Sequence, residues 1–471
     1  MADRPTTLGE LKASGYQPVP VKTEIRRNLI RRLRSAEANR EPLFPGIKGY
    51  DESVIPQVVN ALLSGQDIIF LGERGQAKSR LVRGLANLLD ERIPVLDGAE
   101  IPENPYQPVS PQGRALVAEH GDSAPIRWLG RDERYGEKLA TPDITIADLI
   151  GEVDPIKVAE GRYLADEHTL HYGLVPRTNR GIFAINELPD LAERIQVGLL
   201  NLLEERDVQI RGHRVRLPLD VFIVATANPE DYTNRGRIIT PLKDRYGAQI
   251  RTHYPASIEQ EIEIMAQEAQ APALAEEPES AGLPLHEAPF MAEIIAEITH
   301  AARRSPDVNQ RSGVSVRASI ANYETLTANA ARRALTLGEP EVAPRISDLA
   351  YILPSFQGKL EVEAMEEGDE ARVITRIVQM AVKAVFDRAF GDSDFEAVEE
   401  AFNEGYSFTA GAAVPATDYR RILTDIPALA AHLEGESPGV HAAIVEFILE
   451  GLHLNKRLNK RAEAGAAVYS A

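Results

Sequence analysis

The chain has 471 residues, 44% of them hydrophobic and 26% charged, the composition of a soluble globular protein with room for two to four domains. It has no cysteine, which excludes disulfides, thiolate metal sites and cysteine nucleophiles, and it contains no run of 18 apolar residues, so no membrane span is expected. The net charge of −19 argues against nonspecific binding to nucleic acid, and a start without the apolar core of a signal peptide predicts a cytoplasmic location.

Charge is unevenly distributed. Residues 22–40 hold seven Lys or Arg against two Glu, and Ile25, Leu29, Ile30 and Leu33 recur at helical spacing. This reads as an amphipathic helix with a solvated basic face; a basic arm for an acidic neighbour is the alternative. Val54–Leu63 reads as a helix, Ile68–Leu71 as a strand, Arg80–Leu89 as a helix and Ile93–Leu96 as a short strand. Gly181–Ile185 and Val221–Ala225 read as buried strands, and Val208–Leu217 as a hairpin turning at Gly212-His213. Such alternation predicts an α/β fold with a parallel sheet flanked by helices. Residues 252–302 carry ten Glu and no Lys or Arg, and Gln270–Pro289 is rich in Ala, Glu and Pro, as in a linker or exposed loop. Beyond it the pattern is helical, with Val373, Ile377, Met380 and Val385, then Ile444, Phe447 and Ile448, near helical spacing. The predicted domains are an N-terminal helical arm (1–40), an α/β core (41–255), a linker and helical lid (256–360) and a helical C-terminal extension (361–471).

The sharpest chemical signal follows the strand at Ile68–Leu71. Gly72-Glu-Arg-Gly-Gln-Ala-Lys-Ser79 opens onto a helix, as in a phosphate-binding loop, with Ala77 in place of the second glycine of Gly-x4-Gly-Lys-Ser/Thr. Backbone amides and the helix start would face phosphates. Lys78 would reach the β- and γ-phosphates, and the Ser79 hydroxyl would bind Mg²⁺. Gly72, Gly75, Gln76, Ala77 and Arg80 complete the expected cofactor-binding set. A second signal is the polar pair Asn186-Glu187 after an apolar strand, where open α/β sheets place ligands. A Walker B pair has Asp-Glu here, the Asp holding the Mg²⁺ shell and the Glu polarising water. Asn186 can accept a hydrogen bond from a metal-bound water but brings no charge, so weaker Mg²⁺ affinity is expected. Glu187 keeps the base position. Asn228, at the end of the next strand, would sense the γ-phosphate or orient the lytic water. Arg245 and Arg317 suit the roles of a finger from a neighbouring subunit and a lid sensor, because guanidinium is planar, charged and multidentate; a surface salt bridge is the alternative for each.

Order and spacing of these motifs resemble an AAA+ ATPase of the helix-2-insert group, the ATPase subunit of magnesium chelatase first and MoxR-type ATPases next. The matching stretches are Phe44–Gly49, Gly72–Ser79, Asp148–Asp154, Tyr172–Gly181, Asn186-Glu187, Ala227–Pro229 and Asp244–Gly247. The resemblance covers about residues 41–255, extends more weakly through the lid to about residue 350, and implies ATP and Mg²⁺ as cofactors and a homo-oligomer, a hexameric ring. It also implies a helix-2 insert within Gly151–Arg180, a hairpin at Val208–Leu217 facing the pore or a partner, and a von Willebrand A-type protein partner. Arg211, His213, Arg214 and Arg216 cluster on that hairpin. A sigma-54 activator would need a Gly-Ala-Phe-Thr-Gly-Ala loop between the two Walker motifs, and the chain has none there. His168 and His171 beside Glu167 suggest a zinc site only weakly, because the resemblance puts an insert there. The expected function is a partner-remodelling ATPase. The alternatives are the motor subunit of a porphyrin magnesium chelatase and a weakly hydrolysing, nucleotide-dependent scaffold.

Overall fold

The computed structural model describes residues 4–39, 42–153, 170–209, 216–228, 236–272, 274, 276, 282–309, 313–362, 369–391, 393–433, 437–463 and 466–471. The chain divides into two compact units, Met1–His253 and Tyr254–Ala471.

The first unit is built on a five-stranded sheet of β1 (Ile68–Leu71), β2 (Tyr135–Leu139), β3 (Gly181–Asn186), β4 (Val221–Ala227) and β5 (Ala248–Arg251), in the order β5-β1-β4-β3-β2. All four pairings are parallel. Helices cover both faces, so the central strands are buried on both sides and read as continuous apolar runs; β3 and β4 are buried at every position. The edge strands β2, Tyr-Gly-Glu-Lys-Leu, and β5, Ala-Gln-Ile-Arg, lack such runs, and sequence reasoning passed over both. The strand expected at Ile93–Leu96 exists, as Arg92–Leu96, but it pairs antiparallel with Ile126–Gly130 outside the central sheet. The two strands of the expected hairpin, Asp207–Gln209 and Arg216–Pro218, pair antiparallel. Its turn, with Arg211, His213 and Arg214, lies outside the described residues, as does the Arg216 side chain. In the region of the expected insert, Gly151–Val153 pairs with Leu170–Tyr172; Glu167 and His168 between them lie outside the described residues, and His171 is exposed.

Helix α1 (Val21–Asn39) is fastened to this unit. Its first amide, Val21 N, donates to both carboxylate oxygens of Asp220, at 3.0 and 2.9 Å. Its buried stripe is Val21, Ile25 and Leu29, packed in one cluster with Val54 and Val58 of α2 (Val54–Ser64). Ile30 and Leu33, expected on that stripe, are 38% and 36% exposed. Between the apolar positions sits Glu24, whose carboxylate takes both terminal nitrogens of Arg134, at 2.7 and 2.6 Å. Arg134 in turn donates to the Arg180 carbonyl at the start of β3. Both side chains of the pair are within 2% of full burial.

The second unit is mainly helical: α5 (Ile258–Glu268), α6 (Pro289–Arg304), α7 (Val316–Leu337), α8 (Asp369–Phe390) and α9 (Pro438–Leu454) are its longer helices, α4 (Thr240–Arg245) and α3 (Lys78–Gly84) belonging to the first unit. One apolar core runs from Met265 to Tyr469, with Phe290 stacked on Phe447 at 4.1 Å between ring centroids. It also holds an element the helical pattern did not announce, an antiparallel sheet of Phe408–Gly411, Ala466–Ser470 and Asn459–Glu463. Within the Ala-Glu-Pro stretch read as a linker, Leu283 is buried against Ala330, Ala331 and Ala334 of α7. Among the described residues no helix is long and apolar enough to cross a membrane.

Removing one partner of the buried Glu24–Arg134 pair leaves the other as an uncompensated charge. Arg134→Ala is expected to lower unfolding stability by about 3–5 kcal/mol, read by chemical denaturation. The paired replacement Glu24→Leu with Arg134→Met should recover most of that loss.

Candidate nucleotide-binding site

Parallel pairing in register sets the ends of the central strands at one level. Phe70 lies beside Thr226 and Leu71 beside Ala227, Ile185 beside Ala225, and Asn186 beside Leu139. Gly72, Asn186-Glu187 and Asn228 therefore stand next to one another at the carboxyl ends of β1, β3 and β4. Hydrogen bonds tie these ends together. Gly72 N donates to the Ala227 carbonyl at 3.1 Å, and Glu187 N donates to Thr226 Oγ1 at 3.1 Å. Thr226 Oγ1 in turn lies 3.4 Å from Asn186 Oδ1.

The loop between β1 and α3 is folded onto itself. Lys78 is buried, and its Nζ donates to the carbonyls of Gly72 and Glu73, the latter at 2.7 Å. Gln76 Oε1 accepts from Thr252 Oγ1 at 2.7 Å and from Glu73 N at 3.0 Å. A Cβ on Gly72 would lie 1.9 Å from Thr252 Oγ1 and 2.2 Å from Gln76 Oε1, so glycine is required where the chain leaves β1. The Tyr50 hydroxyl lies 2.9 Å from both the Gln76 and the His253 carbonyl oxygens. Burial pushes this phenol up to about 12. The Phe44–Gly49 motif splints the same helix: Arg80 donates to the Gly46 carbonyl at 3.0 Å, and Phe44 packs so closely on Gly84 that a Cβ there would lie 2.8 Å from its ring. Ser79 is exposed in the first turn of α3.

Two non-glycine residues of the site have left-handed backbone. Ala77, in the place of the usual glycine, has φ +53°, and Glu187, where β3 turns into Leu188–Asp190, has φ +54°. Asn228 is 1% exposed, and its Oδ1 is buried without a hydrogen-bond partner among the described residues.

Asn186 contacts a group that sequence reasoning missed. Its Nδ2 donates to Glu137 Oε1 at 2.5 Å. Glu137, on β2, also receives Arg83 Nε at 2.9 Å, Arg83 Nη2 at 3.0 Å and the Tyr135 hydroxyl at 2.9 Å. The hydrogen bond from Arg83 leads in holding the Glu137 carboxyl below the ordinary carboxylate range. No motif marks Glu137, and edge strand β2 gives only the weak alternation Tyr135-Gly-Glu137.

Arg245 ends α4 and is engaged within its own chain, donating to Glu204 Oε2 at 2.9 Å and to the Pro241 carbonyl at 2.8 Å. Arg317 belongs to the second unit, exposed in the first turn of α7. In the first unit, then, Lys78, Ser79, Asn186, Glu187 and Asn228 come together at the strand ends. They fit a phosphate with a divalent cation: a buried lysine held on loop carbonyls, a hydroxyl in the first helical turn, a carboxylate and an unsatisfied buried amide oxygen. The class of protein that this fold and site define is a parallel α/β domain with a candidate phosphate loop, followed by a helical unit.

Comparison with known proteins narrows this class. A model of the Sigma-54 interaction domain matches residues 158–242, a span that includes β3, β4 and the hairpin between them but less than half of the chain. The magnesium-chelatase 38 kDa subunit of Cereibacter sphaeroides is 26% identical over 226 residues, 47% of this chain and 62% of that protein. The protein YeaC of Bacillus subtilis is 28% identical over 264 residues, 53% of this chain and 77% of that protein. The chain thus spans less than two thirds of the length of the bacterial chelatase subunits it matches. A chain in the cryo-electron-microscopy complex of subunits BchI and BchD of magnesium chelatase is 19% identical, covering 71% of this chain and 100% of that one, with a TM-score of 0.35, a likeness too slight to carry weight. Over about half of its length the chain is similar to magnesium-chelatase subunits.

A left-handed backbone costs a residue with a Cβ about 1–2 kcal/mol, offset in part by the lower unfolded-state entropy of Ala relative to Gly, about 0.4–1 kcal/mol. Ala77→Gly is therefore expected to raise stability by about 0.5–1 kcal/mol, measured by denaturant titration.

Proposed function

We propose that the chain is an ATP-hydrolysing motor of the AAA+ type that remodels or activates a partner protein. The observation that supports this best is the convergence of Lys78, Asn186, Glu187 and Asn228 on adjacent strand ends. ATP with Mg²⁺, when bound, supplies the phosphoryl group that passes to water. Lys78 and the amides of the Gly72–Arg80 loop would hold the phosphates, and Ser79 and Asn186 the cation. Glu187 would take the proton of the attacking water, its backbone fixed by the bond to Thr226 and by the turn at Leu188–Asp190. Asn228, with its unspent buried oxygen, would orient that water. Catalysis of this kind is positioning and electrostatics, with no covalent chemistry asked of the protein.

Arg245 would act on the nucleotide of the next subunit in a ring, a hexamer by resemblance. Its pair with Glu204 is partly exposed, and such pairs contribute about 0–1 kcal/mol, so it can be given up on assembly. Arg317 would read the nucleotide from the helical unit. A von Willebrand A-type protein is the partner class the resemblance suggests, with the hairpin at 208–217 as its contact. The curated relatives named as magnesium-chelatase subunits support a second reading, the motor subunit of a porphyrin magnesium chelatase, which requires a separate catalytic subunit. The uncharged Asn186 supports a third, a scaffold that binds nucleotide and turns over slowly.

Lys78→Ala is expected to abolish measurable ATP binding by calorimetry; equal affinity in wild type and variant would refute the phosphate-loop reading. Glu187→Gln should bind ATP and lose hydrolysis. If Arg245 works across an interface, mixing Arg245→Ala with Glu187→Gln subunits should restore part of the turnover, because some mixed interfaces are intact. A finger of this type contributes about 10³–10⁵-fold in related phosphoryl transfer, so Arg245→Ala alone should fall to near background.

A further inference from the structure

The second unit holds a cavity of about 350 Å³ between α8, α9, the turn at Ile346–Tyr351 and the small antiparallel sheet. Sites for small molecules begin at about 300 Å³ and are mostly apolar, with a few placed polar groups. This cavity follows that pattern. Ile352, Ile374, Val378, Val382 and Ala410 are among its walls. Thr375 and Gln379 of α8 also line it and are exposed, so it opens to solvent along that helix.

Two carboxylates interrupt the apolar lining. Glu446 and Glu450 lie one turn apart on α9 and are 2% and 5% exposed. A carboxylate so deeply buried calls for a positive partner. Glu450 has one in Lys460, whose Nζ donates to its Oε2 at 2.7 Å. The Tyr469 hydroxyl donates to that same oxygen at 2.5 Å, and Oε1 accepts no hydrogen bond among the described residues. Glu446 has only neutral donors: Ser347 N at 2.7 Å, Ser347 Oγ at 3.2 Å and the Tyr419 hydroxyl. Burial, and then the charge of Glu446, push the Tyr419 phenol well above its ordinary range, so it stays a neutral donor. Among the described residues no lysine, arginine or histidine forms an ion pair with Glu446. Arg345 lies over the Tyr419 ring, but it and Arg333 are taken up by Glu339 and Asp348. Arg333, Arg345 and Lys460 thus face Glu339, Asp348, Glu446 and Glu450, and this buried group is one positive charge short.

We propose that the cavity binds a small organic cation, an ammonium group on a short apolar body. Glu446 and the free oxygen of Glu450 take the charge, and the apolar wall takes the body. The hydroxyls of Ser347 and Tyr419 hold Glu446 in place without cancelling its charge, which is left for the ligand. An anion would find the opposite of what it needs, since Lys460, the cation in the lining, is already engaged by Glu450. The site lies within the second unit and is independent of the nucleotide reading.

The test compares three probes of one length, hexylammonium, hexanol and hexanoate, by calorimetry on the full chain. The alcohol reads what the apolar wall contributes. Hexylammonium should bind tighter than hexanol by about tenfold or more, the factor expected when a cation rather than a hydroxyl meets a buried carboxylate, and hexanoate should not bind. Glu446→Gln keeps the shape and should bring hexylammonium down to the affinity of hexanol. Val378→Phe fills the cavity with every charge in place and should abolish binding of all three. No binding of hexylammonium to the wild type, or an affinity equal to that of hexanol, overturns the proposal. So does hexylammonium binding that survives in Val378→Phe, since the amine would then be gathered by the net charge of −19 over the surface. Should Glu446→Gln fail to fold, the wild-type series and Val378→Phe still decide.

Discussion

Everything chemical in the first unit depends on one constraint, the in-register parallel pairing of β1, β4 and β3. Residues from three distant stretches of sequence reach the same level only because Leu71 faces Ala227 and Ala225 faces Ile185. A slip of one residue in either pairing would turn every side chain of a strand to the opposite face. It would part Glu187 from Thr226 and Gly72 from the Ala227 carbonyl. The apolar runs that bury these strands on both faces thus do more than fill a core. They fix the register on which the relative positions of Lys78, Asn186, Glu187 and Asn228 depend.

The second feature of the site is that its groups are already engaged with one another. Lys78 lies on two loop carbonyls, Gln76 accepts from Thr252 and Glu73, and Asn186 leans on Glu137. A loop satisfied in this way is held in shape by its own bonds, and a ligand must exchange them for new ones. Differential binding then depends on how much better the phosphates serve Lys78 than the carbonyls do, and a charged partner has the advantage over a dipole. Left-handed Ala77 and Glu187 follow the same logic. Local strain is tolerated where the surrounding hydrogen bonds over-determine the backbone.

How much of this could be read from the sequence follows from where each residue sits. Ile68–Leu71, Gly181–Ile185 and Val221–Ala225 were legible as strands because burial on both faces demands continuous apolar residues. The phosphate loop and the Asn186-Glu187 pair were legible because each directly follows such a run. Tyr135–Leu139 and Ala248–Arg251 were not, since an edge strand meets weaker demands and its composition resembles that of a loop. Glu137 was hidden for the same reason, and because its partner Asn186 lies 49 positions away. On α1 the helical spacing was read correctly, but the stripe was placed too far along. The buried positions are Val21, Ile25 and Leu29, while Ile30 and Leu33 are exposed, on a helix whose first amide is held by Asp220. The small sheet within the second unit has no signature that separates Phe408–Gly411 from an apolar turn.

The bond between Glu24 and Arg134 also bears on how such a chain can change over time. The helix that carries Glu24 looks like a removable leader, since it precedes every motif. Yet the guanidinium it neutralises is wedged beneath the sheet and holds the carbonyl from which β3 starts. Neither charge can be lost alone without burying the other unopposed, so a change at position 24 costs least when position 134 changes with it. A natural recombination that exchanged the leading helix between relatives would succeed only where both parents agree at position 134. A recombination that carried both positions in one segment would carry the Gly72–Ser79 loop along between them.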